Sequence, residues 1–123
     1  MRRPGSQRAA QRQSRAELAD AQQVVWTRDE GRCVVCAEQG SDVHHRRNRG
    51  IGGATRDLTA HAYSRLVLLC RVCHKRVTED PAWGERTGLW IRHDVRPCWA
   101  VPLLYRGVWV LLDDDGGVTR VET

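Results

Sequence analysis

Two pairs of cysteines with the same spacing are the first residues in this sequence that suggest chemistry. Cys33 and Cys36 form one C-x-x-C pair, and Cys70 and Cys73 form a second. Two such pairs can supply the four thiolates that a structural zinc ion binds in a tetrahedron. We therefore expect a four-cysteine zinc site at these positions. The remaining cysteine, Cys98, lies outside the pattern and is expected to be a small buried apolar residue.

Three of the five histidines stand at informative positions relative to these cysteines. His44 and His45 are adjacent and lie between the two pairs, and His74 follows Cys73 directly. Neighbouring side chains on a strand point to opposite faces, so His44 and His45 are expected to do different work. His74 is expected to point away from the zinc and to be free to bind a second metal ion. The other two histidines, His61 and His93, have no partner pattern and are assigned no role.

Three segments of the sequence together resemble the HNH endonuclease family. They are Cys33-Val-Val-Cys36, the segment 43–53 (VHHRRNRGIGG) and the segment 66–74 (LVLLCRVCH). The likeness is strongest to the short four-cysteine members found in bacteriophages and restriction systems. It implies an α+β fold built on a ββα-metal finger, in which two strands and a helix surround one catalytic divalent ion. Here the finger would be stapled by the four-cysteine zinc site.

The resemblance also implies a role for each histidine of the motif. His44 takes the place of the first ligand of the catalytic ion, and His74 takes the place of the second. His45 takes the place of the general base. Thr78, one helical turn after His74, stands where some members carry a further ligand. The catalytic ion would be Mg²⁺, Mn²⁺ or another divalent ion, beside the structural Zn²⁺.

The sequence departs from the family pattern at one position. The middle letter of the motif is usually Asn, and here that place is taken by Arg65, while the only asparagine in the chain is Asn48. In the family this Asn braces the loop and helps to orient the base. Arg65 is therefore expected to take part in catalysis, either by donating to the same carbonyl or by contacting DNA.

Arginines follow the expected general base directly. They are Arg46, Arg47 and Arg49, and the next acidic residue in the chain is Asp57. We expect them to contact backbone phosphates, which would position DNA without reading its sequence. A solvated charged loop is the alternative. The excess of arginine over lysine in the whole chain is ascribed to coding bias and carries little weight.

Charge and hydropathy limit the classes of protein to which the chain can belong. The formal net charge is +5 and the pI is about 9.3, which suits a polyanionic partner such as DNA. No apolar run approaches the roughly 20 residues of a membrane span, and no apolar segment follows Arg2 and Arg3. We therefore expect a cytoplasmic protein without membrane contact. In that reducing compartment, paired cysteines more often bind metal than form disulfides.

The chain divides into three parts. Residues 1–13 are polar and rich in Arg and Gln, and are expected to be a flexible basic arm. Residues 14–80 are expected to form the nuclease core, entered by a helix that starts after the capping-box residue Ser14. Residues 81–123 are expected to be a β-rich extension packed on the same domain as a small antiparallel sheet. Its strands are expected at 89–91, 101–105, 108–112 and 118–121, with a turn at Gly107.

Three functions are compatible with these features. The first is a metal-dependent HNH endonuclease that hydrolyses DNA phosphodiester bonds. The second is a zinc-stapled module that binds nucleic acid without cutting it, which Arg65 and the basic arm favour. The third, implied by resemblance alone, is an accessory role beside phage DNA-packaging proteins.

Overall fold

The structure, a computed structural model, describes residues 4–47, 60–92 and 96–122. In these residues the elements are α1 (Pro4–Arg28), β1 (Asp42–His45), β2 (Leu66–Leu69), α2 (Arg71–Glu79), α3 (Pro81–Thr87), β3 (Leu103–Tyr105), β4 (Val108–Leu112) and β5 (Val118–Arg120). Short 3-10 helices lie at Tyr63–Arg65 and Cys98–Ala100. Mixed helices and antiparallel sheets confirm the predicted α+β class. No helix in the described part of the chain is long and apolar enough to cross a membrane.

Strands β1 and β2 form an antiparallel pair that carries the histidine motif. His44 lies opposite Val67, and His45 lies opposite Leu66. All four residues of β2 are buried, because one face of the strand packs on α1 and the other packs on α2 and the C-terminal sheet. Helix α2 follows β2 after a single residue. The order of two strands and a helix is therefore present, while the assignment to the HNH fold stays a prediction.

Helix α1 is longer than the sequence suggested. It begins at Pro4 rather than after Ser14, so residues 4–13, expected to be a flexible arm, are helical. Proline is well accommodated in the first turn of a helix, where its missing N–H has no partner to lose. Alanine, glutamine and arginine, which dominate this stretch, are also good helix formers. Polarity was therefore a poor guide to disorder here.

The C-terminal extension differs from expectation in its first part. Residues 81–87 form helix α3, and the segment 89–91 is not a strand. The rest follows the prediction: β3, β4 and β5 form one antiparallel sheet in that order. The turn between β3 and β4 has positive φ at both Arg106 and Gly107, which is the geometry of a two-residue hairpin.

One buried carboxylate links helix α1, strand β2 and the C-terminal sheet. Asp29, at the end of α1, is fully buried and pairs with Arg28 at 2.8 Å. Its Oδ2 accepts the backbone N–H of Leu68 at 3.0 Å, and its Oδ1 accepts the hydroxyl of Tyr105 at 2.9 Å. Strand β2 is thereby held between the N-terminal helix and the C-terminal sheet, which fixes the platform for the site.

Candidate functional site

The four predicted cysteines come together in one cluster. The sulfurs of Cys33, Cys36, Cys70 and Cys73 all lie within 4.8 Å of one another. The Sγ atoms of Cys36 and Cys70 are 3.7 Å apart, close to the edge of about 3.8 Å of a tetrahedron with Zn–S bonds of about 2.3 Å. The cluster can therefore hold a metal ion such as zinc, as the sequence predicted.

The backbone around the cluster supports the same interpretation. The N–H of Val35 donates to the sulfur of Cys33, and the N–H of Cys73 donates to the sulfur of Cys70, both at 3.4 Å. Burial raises the pKa of the Cys73 thiol above its usual range. A metal ion therefore has to displace a proton from this sulfur when it binds, which couples metal binding to pH.

His44 and His74 form a second cluster on the α2 face of β1. Their ring centroids are 5.2 Å apart, with the rings inclined by 63°. Two imidazoles sharing one ion at a tetrahedral angle, with bonds of about 2.1 Å, have centroids about 5 Å apart. The structure therefore brings together the two histidines that the resemblance assigned to a divalent ion, at a separation that suits one.

A backbone carbonyl fixes the ring of His44. Its Nε2 lies 2.8 Å from the carbonyl oxygen of Leu89. Because a carbonyl oxygen can only accept, Nε2 carries the proton of this hydrogen bond. Burial lowers the pKa of His44 to about 4, so the ring is neutral near pH 7. Its Nδ1 consequently keeps a lone pair that a metal ion can use.

A carboxylate fixes the ring of His74 in the same way. Its Nδ1 lies 2.9 Å from Oδ2 of Asp42. The hydrogen bond with His74 is the main reason that the pKa of Asp42 is lowered, and Arg71 at 3.3 Å adds to it. The Nε2 atom of His74 is then the nitrogen left for a metal ion. Sequence reasoning missed Asp42, although its position two residues before His44 places both on one face of the strand.

The C-terminal extension supplies the carbonyl that orients His44. Helix α3 ends at Gly88, which adopts a left-handed conformation with φ of 80°. A Cβ atom at this position would clash with the carbonyl of Pro102. This tight turn directs the carbonyl oxygen of Leu89 toward β1. The segment 81–123 therefore contributes directly to the geometry of the site.

His45 lies on the opposite face of β1, as the alternation of a strand predicts. Its Nε2 is 3.5 Å from Nδ1 of His61, and the two ring centroids are 5.7 Å apart. His61, to which the sequence assigned no role, is therefore a neighbour of the expected general base. His93 lies outside the described residues.

Arg65 supports the segment that follows His45. It is 1% exposed, and its Nε and Nη2 donate to the carbonyl oxygen of Arg47 at 3.1 and 2.9 Å. The backbone carbonyl of Arg65 in turn accepts the N–H of Arg46 at 2.7 Å. This burial favours a bracing role for Arg65 over direct contact with DNA.

Arg46 does not lie where a DNA contact requires it. Its side chain is fully buried, and its guanidinium donates to four backbone carbonyls, those of Gly88, Ser64, Cys98 and Val101, at 2.8 to 3.3 Å. Burial lowers the pKa of Arg46 to about 10, so the group stays charged at neutral pH. The expectation that Arg46 contacts phosphates is corrected: it joins the end of β1 to the C-terminal extension.

Replacing Arg46 with methionine should therefore destabilise the protein by about 3 kcal/mol, because four buried carbonyls lose their donor. Denaturant unfolding followed by tryptophan fluorescence measures this. The exposed Arg86 provides the matched control, and Arg86→Met should change the free energy of unfolding by less than about 0.5 kcal/mol. Equal unfolding midpoints for Arg46→Met and wild type would contradict the assignment.

The other two arginines of the predicted phosphate contacts are less constrained. Arg47 is half-buried, and its Nη2 donates to the carbonyl oxygen of Arg96 at 2.7 Å. Arg49 lies outside the described residues. Thr78 is exposed, and its hydroxyl donates to the carbonyl oxygen of His74 at 3.0 Å. Thr78 is thus engaged within its own helix.

Within the residues that the structure describes, the four cysteines are the one group of three or more potential ligands whose ligand atoms lie close together. His44 and His74 are therefore a pair of potential ligands to which the described residues add no third. Comparisons with family models, curated proteins and solved structures found no match to this chain.

Proposed function

We propose that this protein is a metal-dependent endonuclease of the HNH type, which hydrolyses phosphodiester bonds in DNA. The observation that supports it most is the arrangement of His44 and His74. Each ring gives one nitrogen to a protein acceptor and keeps the other for an ion. Histidines that bind metals usually donate their second N–H to a carbonyl or a carboxylate, which is the arrangement found at both rings.

The donor set fits a divalent ion. His44 and His74 would hold it, and imidazole nitrogen favours Mn²⁺ and later transition metals over Mg²⁺. Such an ion, when bound, neutralises charge on the phosphoryl oxygens and assists the leaving oxygen. The four-cysteine cluster cannot serve this purpose, because four thiolates complete the coordination sphere of zinc.

The other residues of the site contribute by proton transfer and positioning. His45 takes the proton of the attacking water, since a neutral imidazole is an effective base near pH 7. Arg65 holds the segment after His45 in place through the carbonyl of Arg47. Arg47 and Arg49 remain the candidates for contacts with DNA phosphates.

Incubating the protein with supercoiled plasmid tests the proposal. Wild type should nick or linearise the plasmid when Mn²⁺ or another divalent ion is added, and His74→Ala should lose both cleavage and calorimetrically measured Mn²⁺ binding. Lys75→Ala is the matched control, because Lys75 neighbours His74 but its side chain is 73% exposed. No cleavage by wild type with any divalent ion would refute the proposal.

A second candidate is a zinc-stapled module that binds nucleic acid without cutting it. The observation that favours it is Arg65 at the place where the family carries Asn. This candidate predicts that the protein binds DNA with an affinity that falls steeply as the salt concentration rises. It also predicts that the plasmid stays intact with every divalent ion tested. A role beside phage packaging proteins stays a prediction, which a pulldown from infected cells would check.

A further inference from the structure

Helix α1 extends well beyond the part of the protein that it packs against. Among the described side chains of the helix, Ala21 is the first that is buried. The helix begins at Pro4, so 17 of its residues precede Ala21, and at 1.5 Å per residue they span about 25 Å. The described side chains of this stretch are exposed, apart from the half-buried Leu18. They therefore contribute little to the core and present their surface to a partner.

The excess positive charge of the chain lies at the N-terminal end of the sequence. The chain has 20 lysines and arginines and 15 acids, and five of the arginines precede the first acid, Glu17. These five are Arg2, Arg3, Arg8, Arg12 and Arg15. The formal net charge of +5 is therefore equal to the charge of this segment, and the rest of the chain is balanced. A polyanion is consequently attracted to this segment rather than to the protein as a whole.

Exposed hydrogen-bond donors share one face of α1. Helix positions three and four apart are neighbours on one face. Five exposed residues follow this spacing, and they are Arg12, Arg15, Ala19, Gln22 and Trp26. The guanidinium, amide and indole groups among them can all donate hydrogen bonds. The two acids of the helix, Glu17 and Asp20, fall outside this spacing. We call Arg12, Arg15, Gln22 and Trp26 the donor face.

Helix α1 packs on the side of the strand pair that carries the expected general base. Ala21 and Val25 of the helix cluster with Leu66 and Leu68 of β2. His45 lies opposite Leu66 in the antiparallel register, and residues directly opposite each other on paired strands share a face. His45 therefore lies on the α1 side of the strands. A ligand held along α1 is held on that same side.

We propose that the donor face of α1 is a docking surface for duplex DNA, which it holds by the phosphates. Arginine, glutamine and similar donors contact phosphates, and such contacts position DNA without reading its sequence. A helix about 10–12 Å in diameter also fits the major groove, which is about 12 Å wide. This docking surface rests on the proposed endonuclease function, because it takes DNA as the substrate. Binding itself can be measured whether or not the protein cleaves.

The salt dependence of DNA binding tests the docking surface, with zinc-loaded full-length protein, a fluorescently labelled duplex and no other divalent ion. Each phosphate contact contributes about −0.9 to the slope of log K against log salt concentration. The double variant Arg12→Gln/Arg15→Gln should therefore have a slope less negative by about 2, and an affinity lower by about 10- to 100-fold at about 0.1 M salt. Glutamine has nearly the helix propensity of arginine, so circular dichroism should be unchanged.

The double variant Arg86→Gln/Arg120→Gln is the matched control. It removes the same charge from exposed arginines of α3 and β5, and its slope should equal that of wild type. The docking surface is wrong if wild type binds no duplex, if Arg12→Gln/Arg15→Gln keeps the wild-type slope and affinity, or if the control loses as much. If the slopes change as expected but wild type cleaves no plasmid with any divalent ion, the endonuclease function fails and the docking surface stands.

Discussion

Replacing His45 with alanine should slow plasmid cleavage by at least about 100-fold while leaving binding of the divalent ion unchanged. A positioned general base contributes about 100- to 10,000-fold to a rate. His45 lies on the face of β1 opposite the His44–His74 pair, so its loss should not disturb the ion. Single-turnover cleavage and calorimetric titration with Mn²⁺ measure the two effects separately.

Two controls make this result specific. Added imidazole should restore part of the activity of His45→Ala, because a free base can occupy the space that the side chain leaves. Lys75→Ala should behave as wild type in both measurements. A His45→Ala protein that is folded, retains zinc and cleaves at the wild-type rate would show that the base has been assigned to the wrong residue.

Removing the metal from the four-cysteine cluster should unfold the protein. Structural zinc sites contribute about 10–16 kcal/mol of apparent binding free energy, which matches or exceeds the total stability of about 5–15 kcal/mol of an ordinary domain. Cys33 and Cys73 also belong to the main hydrophobic core, so loss of the ion disturbs packing directly. A strong chelator should abolish near-UV circular dichroism and the cooperative unfolding transition.

A cysteine variant tests the same point without a chelator. Cys70→Ser should be purified with far less than one zinc per chain and should unfold without a cooperative transition. Cys98→Ser is the matched control, because Cys98 is buried at a 3-10 helix outside the cluster. It should retain one zinc per chain. A Cys70→Ser protein with wild-type stability would show that the cluster is not a structural metal site.

Features that a recognisable sequence pattern marks were the ones that the sequence predicted well. The two C-x-x-C pairs form one cluster, the apolar run of β2 is a buried strand, and the turn at Gly107 closes a hairpin. Each reflects local chemistry: ligand spacing, burial on both faces, or positive φ. Asp42 could have been found by the same logic, since it shares a face of β1 with His44.

Contacts between distant residues that no such pattern marks could not be predicted in this way. Arg46 resembles Arg47 in the sequence, and only the four carbonyls that surround it distinguish the buried arginine from its neighbour. The carbonyl that orients His44 lies 45 positions away at Leu89. The approach of His61 to His45 likewise depends on how the chain returns to β2. The polar composition of residues 4–13 led to the prediction of a flexible arm, whereas the helix propensity of these residues agrees with the observed helix α1.

The hairpin between β3 and β4 limits how far the chain can be shortened at its C-terminal side. Its turn residue Arg106 donates its backbone N–H to the carbonyl of Val34 at 2.7 Å, and its side chain reaches the carbonyls of Cys33 and Asp29. These contacts hold the turn at Cys33–Cys36 in place against the C-terminal sheet. A chain shortened at residue 80 would keep every motif residue yet lose these contacts, the Leu89 carbonyl and three of the four carbonyl partners of Arg46. The motif residues alone are therefore not expected to keep this geometry in another protein. A transferred segment has to include the C-terminal sheet.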